Sequence, residues 1–249
     1  MIFNKHLLQH TVQRTIEIGL QKATLELLDN LGVTSISKIG NVPEDGPLLI
    51  ISNHTGVFDS LLLFSQISRA DFHFIGLSHY AIFGPKVTER LLPIYRVRKL
   101  NHKIYEYPLC LQINGKKPVN LTVAEIRLRN KESIRQGAKL INDGNAVSIF
   151  PTGGGGKALN DSHWKAGVGF LVKQITNPLT RVVFVQIKGT RMSDLVAYLH
   201  PFIRKLFFRP RLISIYFSEP RLLTDLVDQK DDGKTIARKL EKIYQDAWK

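Results

Sequence analysis

The chain has 249 residues, of which 43% are hydrophobic and 9% aromatic, a composition that excludes an intrinsically disordered protein and suits one folded domain. Its single cysteine excludes an intramolecular disulfide framework. A total of 35 Lys and Arg against 21 Asp and Glu gives a net charge of +14, which favours polyanionic partners: anionic membranes, phosphorylated substrates, acidic carrier proteins or nucleic acid.

The N-terminal segment, residues 1–32, is predicted to be helical. Leu8, Val12 and Ile16 recur at helical spacing, with polar residues between them. This pattern fits a helix packed on the domain core and equally a helix lying on lipid, and the sequence leaves both open. No apolar run reaches the roughly 20 residues that a spanning helix needs, so we expect a protein that is soluble or lies on a membrane.

Apolar runs and helical periods alternate along residues 40–220. Strands are predicted at 48–52, 72–77, 92–97, 146–150, 181–187 and 212–217, and helices at 60–67, 123–142 and 166–175, with an irregular insertion at 99–120. Continuously apolar strands that alternate with helices are typical of an α/β fold with a mostly parallel central sheet flanked by helices. Residues 40–220 are therefore predicted to form the core of a single domain, followed by a C-terminal helical segment at 221–249 whose charged helix runs from Gly233 onward.

His54 and Asp59 are the first candidates for chemistry. His54 follows the strand at 48–52, and Asp59 lies where the next helix starts, at the strand ends where α/β sheets bind ligands. An imidazole at this place takes a proton from a hydroxyl when a carboxylate holds its other nitrogen. Alone, the pair also fits a helix-capping Asp59 and a loop histidine satisfied by the backbone.

Cations and glycines follow two later strands. Arg96, Arg98 and Lys99 close the strand at 92–97, where they suit a bound phosphate or a solvated strand end. The glycine loop at 153–156 exposes backbone N–H groups that suit a ligand or a flexible turn. Lys165 adds positive charge ahead of the helix at 166–175, or is a solvated side chain.

A nucleotide-binding P-loop is excluded at the glycine loop. The motif would need Gly where Pro151 stands and Ser or Thr where Ala158 stands. The loop therefore serves another kind of ligand or is a flexible turn.

The order of these segments resembles the lysophosphatidic-acid and glycerol-phosphate acyltransferase family. The family motif Asn-His-x4-Asp is matched in full by Asn53, His54 and Asp59. A second family motif, an apolar strand closing on an arginine that binds the acceptor phosphate, is similar to residues 92–96, and a fourth is loosely similar to 182–187. The resemblance covers roughly residues 40–220, the catalytic core that it implies.

The third motif departs from the family pattern. Phe-Pro-Glu-Gly-Thr-Arg aligns with residues 150–155, so Thr152 replaces the acidic residue and Gly155 the arginine. Lys157 is a substitute cation, Thr152 keeps a hydroxyl for hydrogen bonding, and Trp164-Lys165-Ala166-Gly167 is similar to the following Phe-Lys-x-Gly segment. The departure implies an acceptor that differs from ordinary lysophosphatidic acid.

The resemblance implies an O-acyltransferase. The acyl group would move from acyl-CoA or an acyl-carrier protein to a hydroxyl of a lysophospholipid-like or other lipid acceptor, with no metal and no further cofactor. His54 would be the general base and Asp59 would orient it, on a peripheral protein at the cytoplasmic face of an anionic membrane. The implied substrate-binding residues are Asn53, Arg96, Arg98, Thr152, Gly153, Gly154, Lys157 and Lys165.

Two alternatives stay open. One is a non-catalytic basic protein that binds lipid or nucleic acid, and the other is an acyltransferase that acts on a non-glycerol acceptor. Binders of single-stranded nucleic acid interleave exposed aromatics with cations, whereas most aromatics here fall inside apolar runs, so no nucleic acid is expected as a partner. Residues 202–209 do mix aromatics with cations, which fits lipid contact and equally a buried element.

Overall fold

The computed structural model describes residues 5–33, 35–95, 121–153, 164–191 and 212–249, together with positions 193, 194, 197 and 202. Eight strands of this part form one sheet. They are β1 (Ile36–Ile39), β2 (Leu48–Ser52), β3 (Phe72–Leu77), β4 (Leu91–Ile94), β5 (Ala146–Ile149), β6 (Arg181–Lys188), β7 (Ile213–Phe217) and β8 (Arg221–Leu222).

Helices cover both faces of the sheet. They are α1 (Lys5–Glu17), α2 (Leu20–Asn30), α3 (Asp59–Gln66), α4 (Pro85–Thr88), α5 (Val123–Asn142), α6 (Gly167–Val172), α7 (Leu223–Leu226) and α8 (Gly233–Ala247), with a 3₁₀ segment at Ser78–Phe83. None of the helices in the described ranges is both long enough and apolar enough to span a bilayer.

The sheet runs in the order β1-β7-β6-β2-β5-β3-β4. The strands from β6 to β4 are parallel to one another. β7 and β8 run antiparallel to β6, and β1 is parallel to β7. Because the loops that follow parallel strands emerge at one edge of a sheet, this order gathers the loops after β2, β3, β4, β5 and β6.

The core has two apolar layers, one on each face of the sheet. Side chains alternate along a strand, so Leu48 and Ile50 of β2 face one layer while Leu49 and Ile51 face the other. The first layer is covered by α1, α2 and α3, and the second by α5, α6 and α8. All five residues of β2 are buried, as expected for a central strand with helices on both faces.

Most predicted elements are confirmed. β3 and α5 have the predicted bounds, and α5 begins with a capping box in which Thr122 and Glu125 satisfy each other's backbone N–H groups. The N-terminal segment forms α1 and α2, whose Leu8, Leu27 and Leu28 are buried in the core. Packing on the core is therefore one role of this segment.

The helix predicted from Gly233 is confirmed, whereas the whole segment 221–249 is not one helix. Residues 221–226 form β8 and α7, and α8 begins only at Gly233. The carboxylate of Asp232 fixes that start by accepting hydrogen bonds from the backbone N–H groups of Lys234 and Thr235. The helix predicted at 166–175 is also shorter, ending at Val172.

Candidate active site

The loops after the parallel strands meet at the carboxyl edge of the sheet. The loop after β2 carries His54, the loop after β5 carries Phe150, and the loop after β6 carries Thr190. The His54 ring stacks on Phe150, with ring centroids 4.7 Å apart and 29° between the ring planes. Residues far apart in the sequence thus form one site.

Asn53 ties the start of the His54 loop to β6. Its side-chain amide donates to the carbonyl of Ile187 at 2.8 Å, and its carbonyl oxygen accepts from the N–H of Ile187 at 2.7 Å. These two hydrogen bonds extend the pairing of β2 with β6 by one position beyond the end of β2. Both polar ends of Asn53 are thereby engaged with the backbone, so the side chain positions the loop that carries His54.

Asp59 lies under that loop and is completely buried. Its Oδ2 accepts hydrogen bonds from the backbone N–H groups of Thr55 at 2.6 Å and Gly56 at 2.8 Å, and its Oδ1 accepts from the hydroxyl of Thr190 at 2.6 Å. Asp59 is also the first residue of α3, where the helix dipole favours the negative charge of its carboxylate. Three donors and a helix N-terminus together offset the cost of burying this charge.

The position of the imidazole proton of His54 follows from these contacts. His54 Nδ1 lies 2.8 Å from Asp59 Oδ2, which already accepts from two N–H groups and is therefore the acceptor here too. Nδ1 thus carries the proton, and the lone pair of the neutral ring is on Nε2. No described residue hydrogen-bonds Nε2, and 13% of the His54 side chain is exposed.

Thr190 fixes the second carboxylate oxygen of Asp59. Its hydroxyl lies 2.7 Å from that of Thr55, and because Thr190 donates to Asp59, Thr55 is the donor between the two hydroxyls. The loop after β6 comes so close that a Cβ on Gly56 would lie 2.5 Å from the backbone nitrogen of Arg191. This close approach is the reason that position 56 needs glycine.

Tyr244 of α8 supports the site from the other face of the sheet. Its hydroxyl donates to the carbonyl of Val185 at 3.2 Å. Burial raises the pKa of the Tyr244 phenol and the charge of Asp59 raises it further, whereas a hydrogen bond from the backbone N–H of Asn53 opposes the rise. Tyr244 is therefore a neutral group that connects α8 to the backbone on which the His54 loop is built.

Lys165 packs against the first glycine of the glycine loop. Gly153 has φ of 70°, and a Cβ there would lie 2.8 Å from Lys165 Nζ. The backbone N–H of Lys165 donates to the carbonyl of Pro151 at 3.0 Å, which fixes the start of this side chain. Among the described residues, Thr152 Oγ1 is buried without a hydrogen-bond partner. Lys165 therefore contacts Pro151 and Gly153, the two residues that flank the unsatisfied hydroxyl of Thr152 in the chain.

A cavity of about 140 Å³ opens beside His54. Its wall is mostly aliphatic and aromatic, with Ser60, Tyr80 and Lys165 as polar members, and the Ser60 hydroxyl donates to that of Tyr80 at 2.9 Å. An apolar cavity near 150 Å³ can hold a group the size of benzene. The apolar side chains of the wall are Ile75, Leu77, Ile94, Ile134, Ile149, Phe150 and Val168.

The predicted site residues have different places in the structure. His54 and Asp59 are in contact, Gly153 and Lys165 line the cavity, and Asn53 and Thr152 are placed as described above. Four predicted residues, the insertion at 99–120 and most of the segment 202–209 lie outside the described residues. The four residues are Arg96, Arg98, Gly154 and Lys157.

Sequence reasoning missed the contributions of Thr190 and Tyr244. One signal for Thr190 was available, because it comes two residues after an apolar strand, as His54 does after β2. Had β6 been assigned next to β2, its following loop would have been expected at the same edge of the sheet. For Tyr244 we find no sequence signal.

Residues 34–187 match the model of a protein family described as Acyltransferase. No curated protein matches this chain. A similar solved structure is that of the 1-acyl-sn-glycerophosphate (LPA) acyltransferase PlsC from Thermotoga maritima, with 13% sequence identity over 98% of this chain and 97% of that chain and a TM-score of 0.48. The family match covers more than half of the 249 residues and includes His54, Asp59 and the glycine loop. The chain belongs to the acyltransferase family.

Proposed function

We propose that the protein is an O-acyltransferase that moves a fatty acyl group from an acyl thioester to a hydroxyl of a lipid acceptor. The observation that carries the proposal is the contact between His54 Nδ1 and the buried carboxylate of Asp59. The contact leaves Nε2 available as a base on the opposite edge of the ring, beside an apolar cavity. Family membership supplies acyl transfer as the general reaction.

The proposed reaction begins with the acceptor hydroxyl at His54 Nε2. His54 takes the hydroxyl proton while the oxygen attacks the thioester carbonyl, and Asp59 stabilises the imidazolium that forms. The tetrahedral intermediate collapses, the C–S bond breaks, and the leaving sulfur takes the proton from His54. The products are an ester and a free thiol, and His54 returns to its neutral form.

The cavity is the proposed site of the acyl chain next to the thioester. Its walls are apolar on the β3, β4 and β5 side, and a chain there loses contact with water, which favours binding by about 0.8 kcal/mol per buried methylene group. The polar groups that line it include His54 and Lys165. The acyl chain among the apolar side chains would hold the reacting carbonyl next to Nε2.

The acceptor is proposed to carry an anionic or hydroxyl-rich group near Lys165 and Thr152. A buried hydroxyl with no protein partner costs free energy, and a bound phosphate or hydroxyl would satisfy it. Arg96, Arg98, Gly154 and Lys157 remain predicted contacts to the acceptor. Because Thr152 stands where the family has glutamate, the test includes acceptors other than lysophosphatidic acid.

The membrane association is likewise proposed from charge. A net charge of +14 favours binding to anionic lipid, which would bring the site to a lipid acceptor. On this proposal the protein is peripheral and acts at the cytoplasmic face.

The test is acyl transfer by the purified protein. Labelled acyl-CoA and acyl-carrier protein are offered as donors, with lysophosphatidic acid, glycerol 3-phosphate, an amine and a sugar lipid as acceptors. We expect wild type to acylate at least one hydroxyl acceptor, and His54→Ala to lower kcat by about a hundredfold or more, because a positioned general base contributes about 10²–10⁴. Asp59→Asn should cause a similar loss.

A matched control is His73→Gln. His73 is half-buried at the amino end of β3, whereas His54 lies at the carboxyl edge, so this variant should keep wild-type kcat. Circular dichroism must show that all variants are folded. Transfer to no acceptor by wild type, or undiminished transfer by folded His54→Ala, would refute the proposed function and favour a non-catalytic lipid-binding protein.

A further inference from the structure

The strands β2 and β6 separate at the point where the His54 loop begins. They are paired up to Ser52 and Val185, after which β2 ends and β6 continues. The side chain of Asn53 extends the pairing to Ile187 by its two hydrogen bonds. We call this point the β2–β6 fork and define it by Asn53, Val185 and Ile187. The backbone that leaves the fork carries His54.

The Tyr244 hydroxyl lies in the β2–β6 fork and bonds to both strands. It donates to the carbonyl of Val185 at 3.2 Å and accepts a hydrogen bond from the backbone N–H of Asn53. The Asn53 nitrogen lies 3.4 Å from the Val185 carbonyl oxygen, which is longer than the usual distance of about 2.9–3.0 Å in a backbone hydrogen bond. The phenol oxygen therefore bridges a pair of backbone groups whose direct bond is stretched.

Three aromatic rings hold the ring of Tyr244. Phe184 of β6 contacts it edge-on, with ring centroids 5.9 Å apart and 72° between the planes. The rings of Trp164 and Trp248 lie 5.4 Å and 6.3 Å away. Because the Tyr244 ring cannot turn without losing these contacts, its hydroxyl has a defined place in the fork.

Tyr244 contacts the segments on two sides of the catalytic cavity without lining the cavity itself. On one side its hydroxyl bonds to Asn53, which precedes His54. On the other side its ring packs against Trp164, which precedes Lys165 of the cavity wall. Any effect of Tyr244 on the reaction must therefore pass through these neighbours.

We propose that Tyr244 is a positioning residue for acyl transfer, whose hydroxyl sets the separation of β2 and β6 at the fork and thereby the place of His54 Nε2 beside the cavity. The proposal rests on the proposed function, because it concerns the base of that reaction. Asp59 orients the His54 ring, whereas Tyr244 fixes the backbone that carries the ring. Without the phenol oxygen, the Asn53 N–H can close onto the Val185 carbonyl, and His54 moves with it.

The first test is Tyr244→Phe, which keeps the ring and its three aromatic contacts and removes only the hydroxyl. We expect kcat to fall about tenfold, because a misplacement of about 1 Å of a reacting group can lower a rate by about 10²-fold. KM should change little, since no residue of the cavity wall is altered. The melting temperature should fall by no more than about 4 °C, the effect of one lost hydrogen bond.

The matched control is Tyr216→Phe. Tyr216 of β7 packs against the same Trp248, with ring centroids 6.3 Å apart, but no described residue hydrogen-bonds to its hydroxyl. This variant should keep wild-type kcat. Wild-type kcat in Tyr244→Phe as well would refute the proposal. A fall in kcat that accompanies a drop of more than about 10 °C in melting temperature would also overturn it, because Tyr244 would then hold the fold rather than the base.

A double-mutant cycle tests whether Tyr244 acts through the fork. Asn53→Ala removes the two side-chain bonds to Ile187 and loosens the fork from its other side. Residues that hold the same element are not additive, so the loss of kcat in Asn53→Ala/Tyr244→Phe should be smaller than the product of the two single losses. A combined loss equal to that product would show that the hydroxyl does not act through Asn53.

The His54 ring itself gives a measurement that does not depend on acyl transfer. Its Nδ1–H signal is recorded by ¹⁵N–¹H NMR and assigned by its loss in His54→Ala. Because that proton lies between Nδ1 and Asp59 Oδ2, we expect its signal to move in Tyr244→Phe and not in Tyr216→Phe. An unmoved signal in Tyr244→Phe would refute the positioning role. If wild type transfers no acyl group but the signal still moves, the proposed reaction fails and the positioning of His54 by Tyr244 stands.

Discussion

The carboxylate of Asp59 is the residue on which the geometry of the site depends. A buried charge is costly unless hydrogen bonds compensate it, and here Thr55, Gly56 and Thr190 supply donors in addition to the His54 ring. These hydrogen bonds hold the carboxylate in a single orientation. The hydrogen bond from Nδ1 to this carboxylate orients the His54 ring. The direction of Nε2 therefore follows from the contacts around Asp59 and not from the substrate.

Thr190 gives a prediction at this scale. Thr190→Val keeps the shape of the side chain but removes the donor to Asp59 Oδ1, which frees the carboxylate to rotate. Hydrogen bonds to charged groups contribute about 1.5–3 kcal/mol, so we expect kcat to fall about tenfold or more while KM changes little. Steady-state kinetics of acyl transfer measure both constants.

The matched control is Thr190→Ser, which retains the hydroxyl and should recover most of kcat. Thr55→Val removes only the hydroxyl that donates to Thr190, so it should lower kcat less than Thr190→Val does. A Thr190→Val protein that keeps wild-type kcat, or a fall that Thr190→Ser shares, would show that the hydroxyl does not position Asp59.

The sequence could predict part of this site and not the rest. His54 and Asp59 are five residues apart, so their contact follows from one local turn and their spacing is visible in the chain. Thr190 lies 131 residues from Asp59 and meets it only because β6 lies beside β2 in the sheet. Strand order is decided by packing of the whole core, which no local pattern records.

At the scale of elements, two glycines allow α6 and α8 to cross in close contact. A Cβ added to Gly169 of α6 would lie 1.7 Å from the carbonyl oxygen of Gly233, the first residue of α8. To relieve so short a contact, backbone atoms would have to move, which costs more free energy than moving a flexible side chain. The crossing holds α8 against the sheet, and α8 carries Tyr244, whose hydroxyl donates to the carbonyl of Val185.

Gly169→Ala should therefore destabilise the fold. Overpacking of a well-packed contact costs about 1–3 kcal/mol, and more where backbone is struck, so we expect a loss of about 3 kcal/mol. For a chain of this size the melting temperature should fall by roughly 6–12 °C in thermal denaturation.

The neighbouring Gly167→Ala is the control. It lies in the same helix, but a Cβ there meets nothing within 4 Å. Alanine loses less backbone entropy than glycine on entering a helix, so stability should stay the same or rise by up to about 1 kcal/mol. Equal melting temperatures for the two variants would contradict the assigned α6–α8 contact.

Elements could be predicted where their signals are local. The bounds of α5 follow from its capping box at Thr122 and Glu125 and from the turn at Asp143 and Gly144, all within the segment. The antiparallel direction of β7 has no such signal, because strands in both orientations show the same apolar run. The short β8 lacks an apolar run altogether, so no local pattern predicts it as a strand; its pairing with β6 decides its structure.

At the scale of the whole molecule, the net charge of +14 acts on any anionic surface regardless of which cations meet it. Two double charge reversals test this. Arg238→Glu/Lys242→Glu changes two exposed cations of α8, and Arg127→Glu/Lys131→Glu changes two exposed cations of α5. Each exchanges two cations for two carboxylates, so each lowers the net charge by 4, from +14 to +10.

We therefore expect both double variants to bind anionic vesicles more weakly than wild type and to the same extent. Raising salt from about 0.1 M to about 1 M shortens the Debye length from about 10 Å to about 3 Å, so binding of wild type should fall at least about tenfold, while zwitterionic vesicles should bind little at either salt. Vesicle co-sedimentation measures all of these. Binding that does not change with salt would show that apolar contacts dominate, and a larger loss in one double variant than in the other would show that one surface, rather than the net charge, binds the lipid.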